Sequence, residues 1–259
     1  MQPIHTQAVL DWIREAGEML RASLEEVREI TEKQGALDLV TDMDRKVEQF
    51  LVGRIRQFHP EDRILGEEGT GDTVEDVQGR VWILDPIDGT MNYIKQKENF
   101  AVMLAVVEDG AGKYGFIYDV VRDRLIWGGP EQGVLYNGEP LPPLRDEALK
   151  EGLVAVNWQM FANNTANVQE LAWNSCGVRI QSCAGTEFLH LLLGKTSLYV
   201  SKLAPWDYAA GKILCETRGL VSSTLAGEPL GWLEPVRAVF GAPHAHAAAL
   251  EILQGTVNK

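Results

Sequence analysis

The chain has 259 residues, 45% of them hydrophobic and 24% charged, and its 37 acids against 24 bases give a formal net charge of −13. This balance is that of a soluble globular chain, so it excludes disorder as the main state, and no apolar run approaches the roughly 20 residues of a membrane helix. Residues 1–10 lack the basic flank and apolar core of a signal peptide, and Cys176, Cys183 and Cys215 are spaced for neither a disulfide framework nor zinc, so the expected location is the cytoplasm. An acidic surface also argues against nonspecific nucleic-acid binding, and taken alone it would repel small phosphorylated molecules.

Apolar Val9, Leu10, Ile13, Ala16, Leu20, Leu24 and Val27 recur at helical spacing and predict a helix over residues 7–31. Lys33-Gln34-Gly35 breaks it. After Asp38-Leu39-Val40, Thr41 suits an N-cap, with Asp42 and Asp44 in the first turn of a second helix that ends before Pro60. Strands begin near Arg63. Ile64-Leu65 leads into Gly66-Glu67-Glu68-Gly69, and the acidic stretch 70–79 reads as a mobile loop. Residues 81–84 form a short buried strand that Asp85-Pro86 ends. Residues 100–107, 114–119 and 125–127 read as an antiparallel meander, with turns at Asp109-Gly110 and Asn137-Gly138.

Pro140, Pro142 and Pro143 open a polar linker, which divides the chain into an N-terminal α+β half, 1–143, and a C-terminal α/β half, 144–259. In the second half, strands are predicted at 153–156, 178–182, 197–201, 220–222 and 238–241, and helices at 164–173, 186–193, 207–217 and 243–253. This alternation suggests a sheet with crossover helices.

The densest chemical signal is Trp82-Ile83-Leu84-Asp85-Pro86-Ile87-Asp88-Gly89-Thr90. A buried strand delivers Asp85, and Asp88 follows one tight turn later. Two carboxylates and the Ile87 carbonyl can therefore converge on one hard cation such as magnesium, which takes oxygen ligands. Gly89 permits close backbone approach, and Thr90 could start a helix whose free N–H groups meet a phosphate. Glu67 at a strand end could ligate a metal or lie in a solvated acidic loop. Asp207 could be a helix N-cap or a ligand, and the small residues 209–211 allow another segment to pack closely. Asp44 could complement a helix dipole or act with the Thr90 hydroxyl in a general-base relay. His244 and His246 read as surface residues of the last helix, and the cysteines as inert packing.

The ordered set of Lys33, Asp38-Leu39-Val40-Thr41, Asp44, Gly66-Glu67-Glu68, Trp82 to Thr90 with Met91-Asn92-Tyr93, Gly185-Thr186, and Trp206-Asp207-Tyr208-Ala209-Ala210-Gly211 resembles the inositol monophosphatase family of magnesium-dependent, lithium-sensitive phosphatases. Ser201-Lys202-Leu203 before Ala204-Pro205-Trp206-Asp207 resembles the Gram-positive bacterial version. The resemblance implies a layered αβαβα sugar-phosphatase fold, a homodimer, and a site at the junction of the halves that binds up to three Mg²⁺. It implies that Glu67, Asp85 and the Ile87 carbonyl hold one ion, that Asp85, Asp88 and Asp207 hold a second, and that Glu67 helps to hold a third. Gly89 and Thr90 would bind phosphate, with Gly185, Thr186 and Glu187 completing the substrate site. Thr90 with Asp44 would orient and deprotonate the attacking water.

Three positions depart from the family pattern. Val200 stands where animal members carry a glutamate that contacts inositol, Ser182 stands for a frequent arginine, and Glu187 replaces a small residue. Glu187 has two readings, contact with substrate hydroxyls or an exposed helix face. The expected reaction is hydrolysis of a small phosphomonoester, inositol-1-phosphate first. Fructose-1,6-bisphosphate, the NADP 2′-phosphate and 3′-phosphoadenosine 5′-phosphate remain open, as do a non-catalytic phosphate- or metal-binding protein and an acidic partner of other proteins. Three magnesium ions against four clustered carboxylates would leave the cleft at about +2, which reverses the repulsion expected from the whole-chain charge.

Overall fold

The computed structural model describes residues 3–24, 30–32 and 39–255; the features predicted at Val27, Lys33, Gly35 and Asp38 lie outside the described residues. Two helices, α1 (Thr6–Ser23) and α2 (Asp42–Phe58), flank an antiparallel ribbon of β1 (Ile30–Glu32) and β2 (Leu39–Thr41). A seven-stranded sheet follows in sequential order: β3 (Arg63–Gly66), β4 (Arg80–Asp88), β5 (Ala101–Glu108), β6 (Ala111–Asp119), β7 (Arg124–Gly129), β8 (Gly133–Tyr136) and β9 (Glu139–Pro140). The short α3 (Thr90–Lys95) joins β4 to β5, and only the β3–β4 pair is parallel.

The second half continues with β10 (Val154–Val156), α4 (Trp158–Ala162), α5 (Val168–Trp173), β11 (Val178–Arg179), α6 (Ala184–Leu192), β12 (Leu198–Leu203), α7 (Pro205–Thr217), β13 (Val221–Thr224), β14 (Val236–Gly241) and α8 (Pro243–Leu253). Its five strands lie in the order β11-β10-β12-β14-β13, parallel across the first three and antiparallel thereafter.

Alternation along β5 explains the stacking. Side chains of successive strand residues point to opposite faces. Ala101, Met103, Ala105 and Val107 enter the core that contains α6 and α7, while Val102, Leu104 and Val106 enter the core that contains α1 and α2. Both sets are buried, so the sheet is covered on both sides. Helices α6 and α7 also pack on the second sheet, whose far side carries α5 and α8. The layers therefore run α1/α2, seven-stranded sheet, α6/α7, five-stranded sheet, α4/α5/α8, as the resemblance implied. The small residues of α7 allow this close layering. A Cβ at Gly211 would sit 2.5 Å from the Phe188 ring, and Gly115 of β6 faces the Ala210 carbonyl as closely.

Several local expectations are corrected. Helix α1 stops at Ser23, and Thr31 belongs to a strand. The helix expected from residue 164 begins at Val168, because Asn164, Ala166 and Asn167 all have positive φ. The strand expected at 178–182 stops at Arg179, and α4, β8 and β9 were not foreseen. Residues 70–79 are not loose. Asp72 accepts from the Ile64 N–H at 2.9 Å and from Arg56 at 3.0 Å, and Asp76 accepts from Arg63 at 2.8 Å. His246 is buried rather than superficial, its Nε2 lying 2.9 Å from the Ser223 hydroxyl. No helix among the described residues is long and apolar enough to cross a membrane.

Candidate metal-binding active site

β4 does not end at Pro86. Asp85 lies opposite Met103 and Asp88 opposite Ala101, so three steps on β4 match two on β5. This is a β-bulge, where a proline without an N–H is tolerated. In a regular strand, residues three apart point to opposite faces. The extra residue brings Asp85 and Asp88 to the same side, and the Ile87 N–H fixes Asp85 by donating to its Oδ1 at 3.0 Å.

α7 aims Asp207 at the same point. It lies at the third helical position rather than at the N-cap, which was one of its two readings, and its Oδ2 accepts from the Ala204 N–H at 2.7 Å. Asp85, Asp88 and Asp207 each offer an oxygen, all within 4.8 Å of one another. Glu67, just beyond β3, hydrogen-bonds the Asp85 carboxyl. The structure thus gathers the four predicted acids from three separate chain segments.

Their electrostatics are those of a site that needs a cation. Burial pushes the Asp85 carboxyl well above the usual carboxylate range, and the charges of Glu67, Asp88 and Asp207 push it further. Burial also raises Asp88, against the Cys183 thiol and the Gly185 and Ala184 N–H groups, which favour its charged form. Asp207 is pushed up to about 7 by burial and then by Asp88. Internal hydrogen bonds use only one oxygen of Asp85 and one of Asp207 for backbone donors, so each keeps an oxygen for a ligand. An all-oxygen donor set suits a hard cation such as magnesium, so the residues present fit the implied ion.

Cys183 corrects the reading of the cysteines as inert. It caps α6, accepts from the Thr186 N–H at 3.4 Å and donates its thiol to Asp88 Oδ2 at 2.9 Å. Gly89, with φ +86°, starts α3 in a conformation that favours glycine, and a Cβ there would lie 2.9 Å from the Cys183 Cβ. The N–H of Gly185 donates to Asp88, and a Cβ on Gly185 would crowd Ala101 at 2.7 Å. Gly185 and Thr186 therefore spend their N–H groups on Asp88 and Cys183. The Thr90 hydroxyl donates to the Ile87 carbonyl at 3.1 Å.

Asp44 is buried on α2, and one turn later comes Glu48, which sequence reasoning missed. Glu48 is fully buried and latches the loop that carries Glu67. Its Oε2 accepts from the Glu68 N–H, and its Oε1 from the Thr70 N–H and hydroxyl, all at 2.7 Å. Asp44 and Glu48 share a helix face with buried Val47 and Leu51, and that polar intrusion into an apolar stripe was the available signal.

Beside Asp88 and Asp207 opens a cleft of about 180 Å³ bounded by Asn157, Trp158, Glu187 and Lys202. Glu187 is 2% exposed, which settles against an exposed helix face, and burial pushes its carboxyl up to about 7. Val200 is fully buried and does not line the cleft.

A five-layer αβαβα fold with an oxygen-donor cluster between its two sheets defines the class of metal-dependent sugar phosphatases. The chain belongs to the inositol monophosphatase family, phosphoric monoester hydrolases, whose sequence profile matches residues 3–257. It is 39% identical over 245 residues to the inositol-1-monophosphatase of Bacillus subtilis, covering 93% of this chain and 92% of that one. It is 28% identical over 218 residues to the fructose-1,6-bisphosphatase/inositol-1-monophosphatase of Thermotoga maritima, covering 83% of each. The fold matches inositol monophosphatase II from Staphylococcus aureus with a TM-score of 0.87 at 29% identity, over 97% of this chain and 96% of that one.

Proposed function

We propose that this chain is a Mg²⁺-dependent phosphatase that hydrolyses inositol-1-phosphate to inositol and phosphate. The observation that carries the reading is the convergence of Asp85, Asp88 and Asp207 within 4.8 Å, with Glu67 hydrogen-bonded to Asp85. The similarity to the Bacillus subtilis enzyme supports the substrate.

Glu67, Asp85 and the Ile87 carbonyl would hold one ion, Asp85, Asp88 and Asp207 a second, and Glu67 would help to hold a third. Bound magnesium supplies Lewis-acid polarisation of the phosphoryl group, a lowered pKa for water and neutralisation of the leaving alkoxide. The chain's own residues do the rest. The bulge and the α6 N-terminus keep Asp85 and Asp88 in place before substrate arrives. Gly89 and Thr90 offer backbone N–H groups to the phosphate. Thr90 passes a proton from the attacking water towards Asp44, for which its hydroxyl must leave the Ile87 carbonyl. Gly185 and Thr186 act by holding Asp88 and Cys183 rather than by touching phosphate.

We also propose a cytoplasmic homodimer with a boundary between halves 1–143 and 144–259. Each sheet draws its strands from one side of that boundary, and exposed Trp173 and Ile180 supply apolar surface for a second copy.

A second reading, a bisphosphatase, is favoured by one observation: Lys202 lies on the cleft and could meet a second phosphate. A phosphate-release panel with inositol-1-phosphate, fructose-1,6-bisphosphate, NADP and 3′-phosphoadenosine 5′-phosphate separates the readings, run with Mg²⁺ and with or without Li⁺. Inositol-1-phosphate should be turned over fastest, millimolar Li⁺ should inhibit, and Asp88→Asn should abolish release. Absence of Mg²⁺-dependent release from every compound refutes the phosphatase, and full activity in the Asp88→Asn variant refutes the site.

A further inference from the structure

One buried carboxyl on the cleft has no part in the chemistry above. Glu187 lies in the first turn of α6 and is 2% exposed. Its Oε1 accepts from the Gln181 N–H at 2.7 Å, whereas its Oε2 is buried and has no hydrogen-bond partner. Buried polar atoms are almost always paired, because an unpaired one has lost water and gained nothing. Glu187 also lines the cleft, which makes its unpaired oxygen the group that a ligand bound there would satisfy.

The ligand's chemistry follows from the neighbours. The cleft includes Asp88 and Asp207, so a phosphomonoester with its phosphate at the acids extends its leaving group along this wall. Ser182, Ser201 and Asn157 add small polar groups, and half-exposed Trp158 offers an apolar ring face. An anionic group against Glu187 would meet a second acid, Asp88, whose charge already disfavours ionisation of Glu187. A hydroxyl fits in either protonation state, donating to a carboxylate or accepting from a carboxyl.

Resting on the phosphatase reading, we propose that Glu187 is a specificity-determining residue whose Oε2 hydrogen-bonds a hydroxyl of the leaving group. It thereby selects phosphates of polyols over phosphomonoesters that carry no hydroxyl near the ester. The role belongs to leaving-group binding and not to phosphate cleavage.

The test compares Glu187→Ala and Glu187→Gln with the unaltered Mg²⁺-loaded protein on inositol-1-phosphate and on p-nitrophenyl phosphate, which has no hydroxyl. In the Ala variant, kcat/KM for inositol-1-phosphate should fall at least tenfold more than that for p-nitrophenyl phosphate, mostly through KM. The Gln variant, which keeps both a donor and an acceptor, should recover most of that selectivity. Equal losses on both substrates would show a structural role and overturn the proposal, as would unchanged selectivity in the Ala variant. If the unaltered protein hydrolyses neither compound, the inositol-1-phosphate reading falls and this proposal falls with it.

Discussion

Removing magnesium should leave a protein whose stability falls as the pH rises through neutrality. The cause is the gathered acids. An acid whose pKa is raised by folding holds its proton in the folded chain after the unfolded chain has lost it, so stability declines until the folded pKa is passed. Asp207 and Glu187 both sit at about 7, and Asp85 lies well above its usual range. The histidines His59, His190 and His246 act in the opposite sense, because burial lowers their pKa. The unfolded chain's histidines are half protonated at about 6.5, so at most about 0.4 kcal/mol of stabilisation from each is still to be gained above that pH. The diagnostic window is therefore pH 6.5 to 8, where the raised acids dominate the pH dependence.

Across that window a group with a folded pKa near 7 costs about 0.8 kcal/mol. Asp207 and Glu187 together give roughly 1.6 kcal/mol, Asp85 adds to the fall, and the histidines give back part of it. At about 2 °C per kcal/mol for a chain of this size, the midpoint should drop by about 3 °C. Mg²⁺ at about 100 times its dissociation constant should return about 2.7 kcal/mol at pH 8. It should return less at pH 6, where protons compete for the same oxygens. Thermal unfolding followed by circular dichroism at pH 6.5, 7.2 and 8, in chelator and in Mg²⁺, reads both effects. A flat or rising midpoint in chelator, or a magnesium gain independent of pH, would refute the electrostatic account of the site.

Two substitutions probe the supports of the cluster. Glu48→Ala leaves three donors of the Glu67 loop without acceptors; it should cost about 2–4 kcal/mol in urea unfolding and weaken Mg²⁺ about 10- to 100-fold by calorimetry, with Glu48→Gln intermediate. Unaltered Mg²⁺ affinity in the Ala variant would mean that Glu67 keeps its position without the latch. Gly89→Ala forces φ +86° on a residue with a Cβ and presses it against Cys183; it should cost about 1–3 kcal/mol and lower kcat through Asp88, so wild-type turnover in a stable variant would contradict the coupling.

The parts of this molecule that depend on local pattern were legible in its sequence. Pro243 and the apolar run after it predict a helix over 243–253, and α8 has those bounds. The Asp109-Gly110 turn and the strands beside it follow the expected meander. The acids were legible because Asp85 and Asp88 flank Ile87 at the end of an apolar strand. Contacts that span long stretches of chain were not. The Cys183 thiol meets Asp88 across 95 residues, and the Glu48 latch reaches across 20 to 22. Neither residue belongs to a short motif, so only packing reveals them. The bulge was hidden for another reason: Pro86 reads as a strand end, and only the β5 register shows that pairing resumes at Asp88.

The same long-range packing explains how a chain of net charge −13 can concentrate acids where a phosphate must bind. Three devices steer the four acids: the bulge for Asp85 and Asp88, the first turn of α7 for Asp207, and the Glu48 latch for the loop of Glu67. Thiol and backbone N–H groups support the charge of Asp88, but burial, then repulsion between the acids, leaves Asp85 and Asp207 holding protons above the usual range. A site so arranged is destabilising in the bare protein and becomes complementary only when cations replace those protons. The cluster therefore makes little sense as a device for stability. Its burial, its all-oxygen composition and its place between two rigid sheets are what metal-assisted phosphate chemistry requires. Phosphate affinity in this protein should therefore follow metal loading rather than the charge written in the chain.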